Sequence, residues 1–163
     1  MFFCCKKKTI TFDDLRESDK FDKDTTLEGI KTKCKVVSVY DGDTCTVQII
    51  DGNMIKQYKV RMLEYDCPEM KPKKEGRTEE SLLKEKAIAK KAKDYFISRG
   101  ANNNQLVDIE FSKPDKYGRQ LAYMYLNGKN INQEMIDKHL AYNYGGGTKK
   151  TFDDLLNEGY YTI

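Results

Sequence analysis

The turn Asp41-Gly42-Asp43-Thr44 carries two carboxylates, and Asp66 and Glu69 add two more three residues apart, with Arg61 five residues before Asp66. Carboxylates held together in a fold are costly unless something neutralises them. A hard divalent cation does so economically, because Ca²⁺ and Mg²⁺ take oxygen ligands from carboxylates and backbone carbonyls. An arginine beside such a cation points to an anionic substrate, since guanidinium matches phosphate bidentately. Residues 41–69 therefore read as a metal-dependent phosphodiesterase site.

The elements that must position these groups follow from local pattern. From Thr32 the chain takes a period of two, Cys34, Val36 and Ser38 alternating with Lys35, Val37 and Val39, until Asp41-Gly42 turns it. Thr44 to Ile50 is β-rich and ends at the hairpin signal Asp51-Gly52, and Met54 to Leu63 returns, making a three-stranded antiparallel meander. Thr78, followed by Glu79 and Glu80, starts a helix that runs to about Arg99 and stops at Gly100; its apolar face is Leu82, Ala89, Ala92 and Phe96. Gln105 to Phe111 and Gln120 to Leu126 are two further strands, joined by the basic turn from Lys113 to Arg119. Asn130 or Asn132 caps a short helix through His139, Gly145-Gly146-Gly147 is a hinge, and a last short helix begins at Thr151. Tyr160 to Ile163 is β-like. This order predicts an α+β protein, mainly β: a five-stranded Greek-key barrel of the OB type with about three helices. A parallel α/β fold is a poor match, because the strands do not alternate with helices.

With 163 residues the chain fits one domain, predicted at 31–163, behind a partly flexible extension at 1–30. The net charge of +3 is unevenly spread: residues 71–99 hold ten Lys/Arg against five Asp/Glu, a belt that suits either a polyanion or solvent. Five cysteines in an irregular set, with His139 the sole histidine, predict free thiols rather than a disulfide framework or a zinc site, and exclude a Ser-His-Asp mechanism. The start Met1-Phe2-Phe3-Cys4-Cys5-Lys6-Lys7-Lys8 is not a secretory signal, because the charges follow the apolar piece, so an intracellular protein is expected. Cys4 and Cys5 beside three lysines would support acyl tethering to a membrane, and an unstructured cytosolic start is the simpler reading. Thr11 and Asp14 predict a capped short helix, and Thr-Phe-Asp-Asp-Leu recurs at 151–155.

Taken together, Asp41-Gly42-Asp43-Thr44, then Arg61 with Asp66-Cys67-Pro68-Glu69, then Asp115-Lys116-Tyr117-Gly118-Arg119-Gln120-Leu121-Ala122-Tyr123, resemble the staphylococcal nuclease (thermonuclease) family over residues 32–144. Three motifs in the family's order and spacing make the resemblance specific. It implies that Asp43, Asp66 and the backbone carbonyl of Cys67 hold one Ca²⁺, that Glu69 is the general base, and that Arg61 and Arg119 bind the phosphate and stabilise its transition state. Cys67 departs from the family's usual Thr and sets a soft sulfur beside a hard ion. Tyr117, Tyr142 and Tyr144 resemble nucleotide-contacting positions, and each can equally pack at the barrel mouth, while Lys116 could track the nucleic-acid backbone or simply be solvated. Glu64 and Tyr65 replace apolar residues, which is a puzzle only if Glu64 faces the core. The implied activity is a calcium-dependent, sugar-nonspecific endonuclease acting on DNA and RNA, preferably single-stranded, and leaving 3′-phosphates. The rival is a noncatalytic OB-fold module that binds nucleic acid or protein, although such modules lose the acids or arginines kept here.

Overall fold

The period-two segments form a closed barrel in the computed structural model, which describes residues 11–17, 27–102 and 104–161. Five long strands, β1 (Lys31–Asp41), β2 (Thr44–Asp51), β3 (Met54–Met62), β5 (Leu106–Pro114) and β6 (Gln120–Leu126), run in the order β3-β2-β1-β5-β6, and β6 pairs back onto β3. That last pairing is parallel, Val60 with Gln120, Arg61 with Leu121 and Met62 with Ala122. It is the closure an OB-type barrel requires and abolishes the sheet edges. Three two-residue strands were not foreseen: β4 (Tyr65–Asp66), β7 (Lys129–Asn130) and β8 (Tyr142–Asn143), β4 pairing with β8. Four helices are described rather than about three: α1 (Phe12–Glu17), α2 (Glu79–Gly100), α3 (Ile131–Asp137) and α4 (Phe152–Asn157).

Alternation along β1 breaks where the sequence pattern predicted that it would continue. Cys34 and Val36 are buried, but Val37 and Ser38 are both exposed, because the register with β2 shifts between Val36 and Ser38 and again before Asp41. A bulge inserts one unpaired residue and re-aims everything after it. Here the two shifts turn Asp41 inward at the strand's end.

Inside the barrel lie Val47, Ile49, Val60, Met62, Phe111 and Met124, and α2 covers one end with Ala92 and Phe96. Thr78 caps α2 by accepting the Ser81 N–H at 3.1 Å, and Ala101 closes it by donating to the Ile97 carbonyl. Both Thr-Phe-Asp-Asp-Leu strings form the same device: Thr11 and Asp14, and Thr151 and Asp154, exchange side-chain-to-backbone bonds as capping boxes. Leu15 of α1 and Leu27 are fully buried, so the stretch read as an extension contributes two side chains to the packing, each worth about 1.5–3 kcal/mol. Cys4, Cys5 and the adjacent lysines lie outside the described residues. Among those described, no helix is long and apolar enough to cross a membrane. Cys34, Cys45 and Cys67 are buried free thiols.

At the C-terminal end the expected β character of Tyr160-Tyr161 is replaced by packing. The Tyr160 hydroxyl donates to the Ala141 carbonyl at 2.8 Å and its ring meets His139 edge-on at 5.0 Å, while Tyr161 stacks on Phe152. Asn132, buried at the start of α3, donates to the carbonyls of Leu63 (2.9 Å) and Ala122 (3.2 Å) and accepts from Met124 N–H, stapling α3 to the β3–β6 seam.

Arg99 of α2 grips Glu134 of α3 bidentately at 2.7 and 3.0 Å, and Tyr95 donates to the same carboxylate. The Arg99 hydrogen bond holds the Glu134 carboxyl below its ordinary range. A depressed folded-state pKa contributes stability that is present above the unfolded value, about 4.3, and is lost as pH falls through the folded one. Glu134→Gln is expected to cost about 1 kcal/mol at pH 7 and less at pH 3. Urea denaturation at both pH values checks this, and a deficit of equal size at each would contradict it.

Candidate active site

Barrel closure brings the distant motifs to one mouth. Arg61 stands near the end of β3, and Arg119 immediately precedes β6, the strand that pairs with it. The Asp41–Thr44 turn lies beside them because Thr44 pairs with Arg61 and the Asp43 carbonyl accepts the Met62 N–H at 2.8 Å. The resulting cleft, about 1170 Å³, is lined by Asp41, Arg61, Glu69, Arg119 and Tyr144, together with Lys116 and Tyr117 on its rim.

Arg61 sits between the two aspartates. Its Nη1 is 2.5 Å from Asp43 Oδ2 and its Nη2 contacts Asp66 Oδ1. Burial alone would lower the guanidinium's pKa, but Asp43 and Asp66 outweigh it and push the value up. Lys149, beyond the three glycines, places Nζ 2.6 Å from Asp66 Oδ1 and 3.8 Å from Glu69 Oε1. Arg61 and Lys149 thus pair with three of the four carboxylates, Asp43, Asp66 and Glu69. The imbalance shows at Asp41, whose carboxyl burial and then the Asp43 charge raise above its ordinary range. Glu69 is raised likewise, first by burial and then by Asp43, with Lys149 opposing.

The segment after Asp66 is clamped by acids through its own backbone. Cys67 N–H donates to Asp43 at 3.0 Å, Glu69 N–H to Glu85 at 2.9 Å and Met70 N–H to Asp41 at 3.3 Å, while Pro68 has no N–H to spend. Tyr65, fully buried, donates its hydroxyl to the Gly42 carbonyl at 2.8 Å. Glu64 faces solvent in a left-handed turn (φ 64°), which removes the puzzle of an acid before Asp66. The Cys67 sulfur is turned toward Gly42 and α2, and burial, then Asp43, push its thiol well above the ordinary range, so it stays a neutral thiol.

Gly42 owes its identity to this contact. A Cβ there would lie 2.8 Å from Cys67 Sγ and 3.0 Å from Ala92 Cβ, with the helix backbone of Ala92 at 3.3 Å. Gly42→Ala is expected to cost about 1–3 kcal/mol, because α2 cannot retreat without opening the core. A midpoint shift in urea equivalent to under 0.5 kcal/mol would show the contact to be soft.

The remaining site residues divide. Arg119 is held by Asp115 through Nε and Nη2, both at 2.7 Å, and its guanidinium lies 5.6 Å from the Tyr117 ring centre. Tyr117 is 73 % exposed, with Lys116 Nζ 5.1 Å from its ring. Tyr144 lines the cleft and donates to the Gly147 carbonyl at 2.8 Å. Tyr142 does not reach the open cleft. It is 7 % exposed, packed in a small apolar cluster with Ile88, Phe152, Leu155 and Tyr161, its hydroxyl accepting Lys150 N–H beside Asp66. Three participants escaped the sequence reading. Lys149 has no local pattern to announce it, Asp115 was read as part of a turn and of the third motif but given no role, and Glu85 lies on the apolar stripe of α2, where an acid is itself the signal.

Among the described residues no three His, Cys, Asp or Glu side chains are drawn together closely enough to hold a metal, since Arg61 and Lys149 stand among the acids. The donor set nevertheless fits a hard cation: every available donor is oxygen, the thiol is turned away, and the acids exceed their cations.

The family described as Staphylococcal nuclease homologue matches residues 59–158. An uncharacterised endonuclease of Haemophilus influenzae is 33% identical over 114 residues, covering 70% of this chain and 53% of its own. An uncharacterised protein of Methanocaldococcus jannaschii is 34% identical over 139 residues, 76% of this chain and 64% of its own. A thermonuclease of Staphylococcus hyicus is 34% identical over 109 residues, 66% and 56% respectively. The chain thus spans between about half and two thirds of these relatives' lengths.

Proposed function

Since the chain belongs to the staphylococcal nuclease homologue family, we propose that it is a calcium-dependent endonuclease that hydrolyses the phosphodiester bonds of DNA and RNA and leaves 3′-phosphates. One observation carries this reading. Arg61, on one of the two strands that close the barrel, and Arg119, just before the other, share a cleft with a half-exposed carboxylate, Glu69.

Arg61 and Arg119 bind the scissile phosphate through its non-bridging oxygens and counter the charge that grows on them. Asp115 holds Arg119 in register for this, and the charges of Asp43 and Asp66 keep Arg61 protonated. Glu69 takes a proton from water as its oxygen attacks phosphorus, and the 5′-oxygen departs, taking a proton from solvent. Asp43, Asp66 and the Cys67 carbonyl would hold the Ca²⁺, which supplies further positive charge against the phosphate. Tyr117, exposed at the rim, offers an unpaired base a stacking face, which supports a preference for single strands.

Incubation of the purified protein with end-labelled single-stranded DNA and RNA, in Ca²⁺ and in EGTA, tests the proposal. Cutting of both in Ca²⁺ alone, giving 3′-phosphate ends, is expected. Tight binding without cutting in any divalent ion would instead make the protein a noncatalytic OB-fold binding module.

A further inference from the structure

An acid in the middle of a buried helical stripe needs a reason. Glu85 is 4 % exposed and follows the spacing of Ile88, Ala89, Ala92 and Phe96 on the face of α2 that packs inward. Burying a carboxylate there is costly unless both oxygens are satisfied. Both are: Oε1 accepts the Glu69 N–H at 2.9 Å, and Oε2 is ion-paired with Arg77 Nη1.

Arg77 is fixed in turn. Its Nη2 donates to Ser81 Oγ at 2.6 Å and its Nε to Asp153 Oδ2 at 3.2 Å, and its guanidinium lies 5.7 Å from the Phe152 ring centre. A continuous set of polar contacts therefore runs from α4, through Arg77 and Glu85, to the backbone of Glu69. The Glu69 side chain has little else to locate it. It is 52 % exposed, and its ion pair with Lys149, at 3.8 Å, is beyond hydrogen-bond reach.

We propose that Glu85, clamped by Arg77, is a positioning residue: it fixes the Glu69 backbone so that the Glu69 carboxylate meets the attacking water. The inference rests on the reading of Glu69 as the general base. Stability alone does not explain the arrangement, because replacing a buried ion pair with packed apolar residues is often neutral or stabilising. Placement does explain it, since a shift of about 1 Å at a reacting group costs on the order of 100-fold in rate.

The test uses the whole chain, Ca²⁺ and a single-stranded DNA oligonucleotide. Glu85→Met, which fills the space but cannot accept the Glu69 N–H, is expected to lower kcat about 10- to 100-fold with KM within about two-fold. Glu85→Gln retains the acceptor oxygen and is expected to recover most of that loss. In a Glu69→Gln background Glu85→Met should cost nothing more, because a mispositioned base no longer matters. Hydrogen exchange at the Glu69 amide, read in the metal-free protein, should accelerate at least about ten-fold in Glu85→Met, as expected once its acceptor is gone. Unchanged kcat in Glu85→Met, an equal loss in the Glu69→Gln background, or Glu85→Gln as impaired as Glu85→Met would each overturn the proposal. If Glu69→Gln itself stays active, the reading of the base fails first and this inference with it; if Glu69→Gln is dead and Glu85→Met is not, the inference alone fails. Should Glu85→Met not fold, Arg77→Met carries the test: a several-fold fall in kcat at constant KM is expected, and an unaltered kcat would overturn it.

Discussion

Arg61→Met is expected to abolish cleavage, by about 10²–10⁴ in kcat/KM, and to destabilise the fold by about 3–5 kcal/mol without added metal. The two losses have one origin. Arg61 is almost wholly enclosed and touches both Asp43 and Asp66. Removing it leaves two buried carboxylates facing each other, with Lys149 the remaining described cation paired with Asp66. The stability loss should be largely repairable. A divalent cation can take over the neutralising role, and binding at a hundred times its Kd would return about 2.7 kcal/mol. Catalysis should not return, because the cation replaces the charge on the acids and not the guanidinium on the phosphate. Urea denaturation with and without Ca²⁺, beside cleavage assays, separates the two. A variant whose instability ignores Ca²⁺ would mean that the acids do not form a cation site.

What the sequence made legible, and what it hid, follows from the range of the interactions. The Asp41–Thr44 turn, the Asp51-Gly52 hairpin and the paired Thr-Phe-Asp-Asp-Leu caps rest on bonds between residues two to four apart, so their chemistry is visible in short strings. The β3–β6 pairing that joins Arg61 to the Arg119 turn links residues about sixty positions apart, and no local pattern encodes it. The motifs named the arginines, and only the closure shows why they share a cleft. The β1 bulge is invisible for a different reason: Val37 suits either face, so alternation through Ser38 looked undisturbed. Tyr142 and Tyr144 have the same spacing as any outward pair, but α4 folds over one of them, and that coverage is set by the distant Phe152 and Leu155. Glu85 was legible in principle. Its position on the α2 stripe was readable, but among so many charged helix residues a buried acid looks like a solvated one until the Arg77 contact is seen.

Glu69→Gln is expected to lower kcat by about 10²–10⁴ while leaving KM and stability nearly unchanged. The separation follows from where Glu69 sits. Its side chain is half exposed, and its ion pair with Lys149 is long, so the pair contributes at most about 1 kcal/mol to folding. Its N–H bond to Glu85 comes from the backbone and survives the substitution. In the mechanism proposed above, Arg61, Arg119 and Tyr117 would still hold the substrate, and Asp43 and Asp66 the ion. Only the capacity to accept a proton is lost, since the amide keeps the shape of the carboxylate without its basicity. The variant should therefore bind single-stranded DNA in Ca²⁺ as tightly as wild type and fail to cut it, which filter binding and single-turnover cleavage on one oligonucleotide measure together. Retention of more than about a tenth of the wild-type kcat would remove Glu69 as the base. Lys149, ion-paired with Asp66 at 2.6 Å, would not rescue the role, because an ammonium group is a donor with no acceptor lone pair to offer a water.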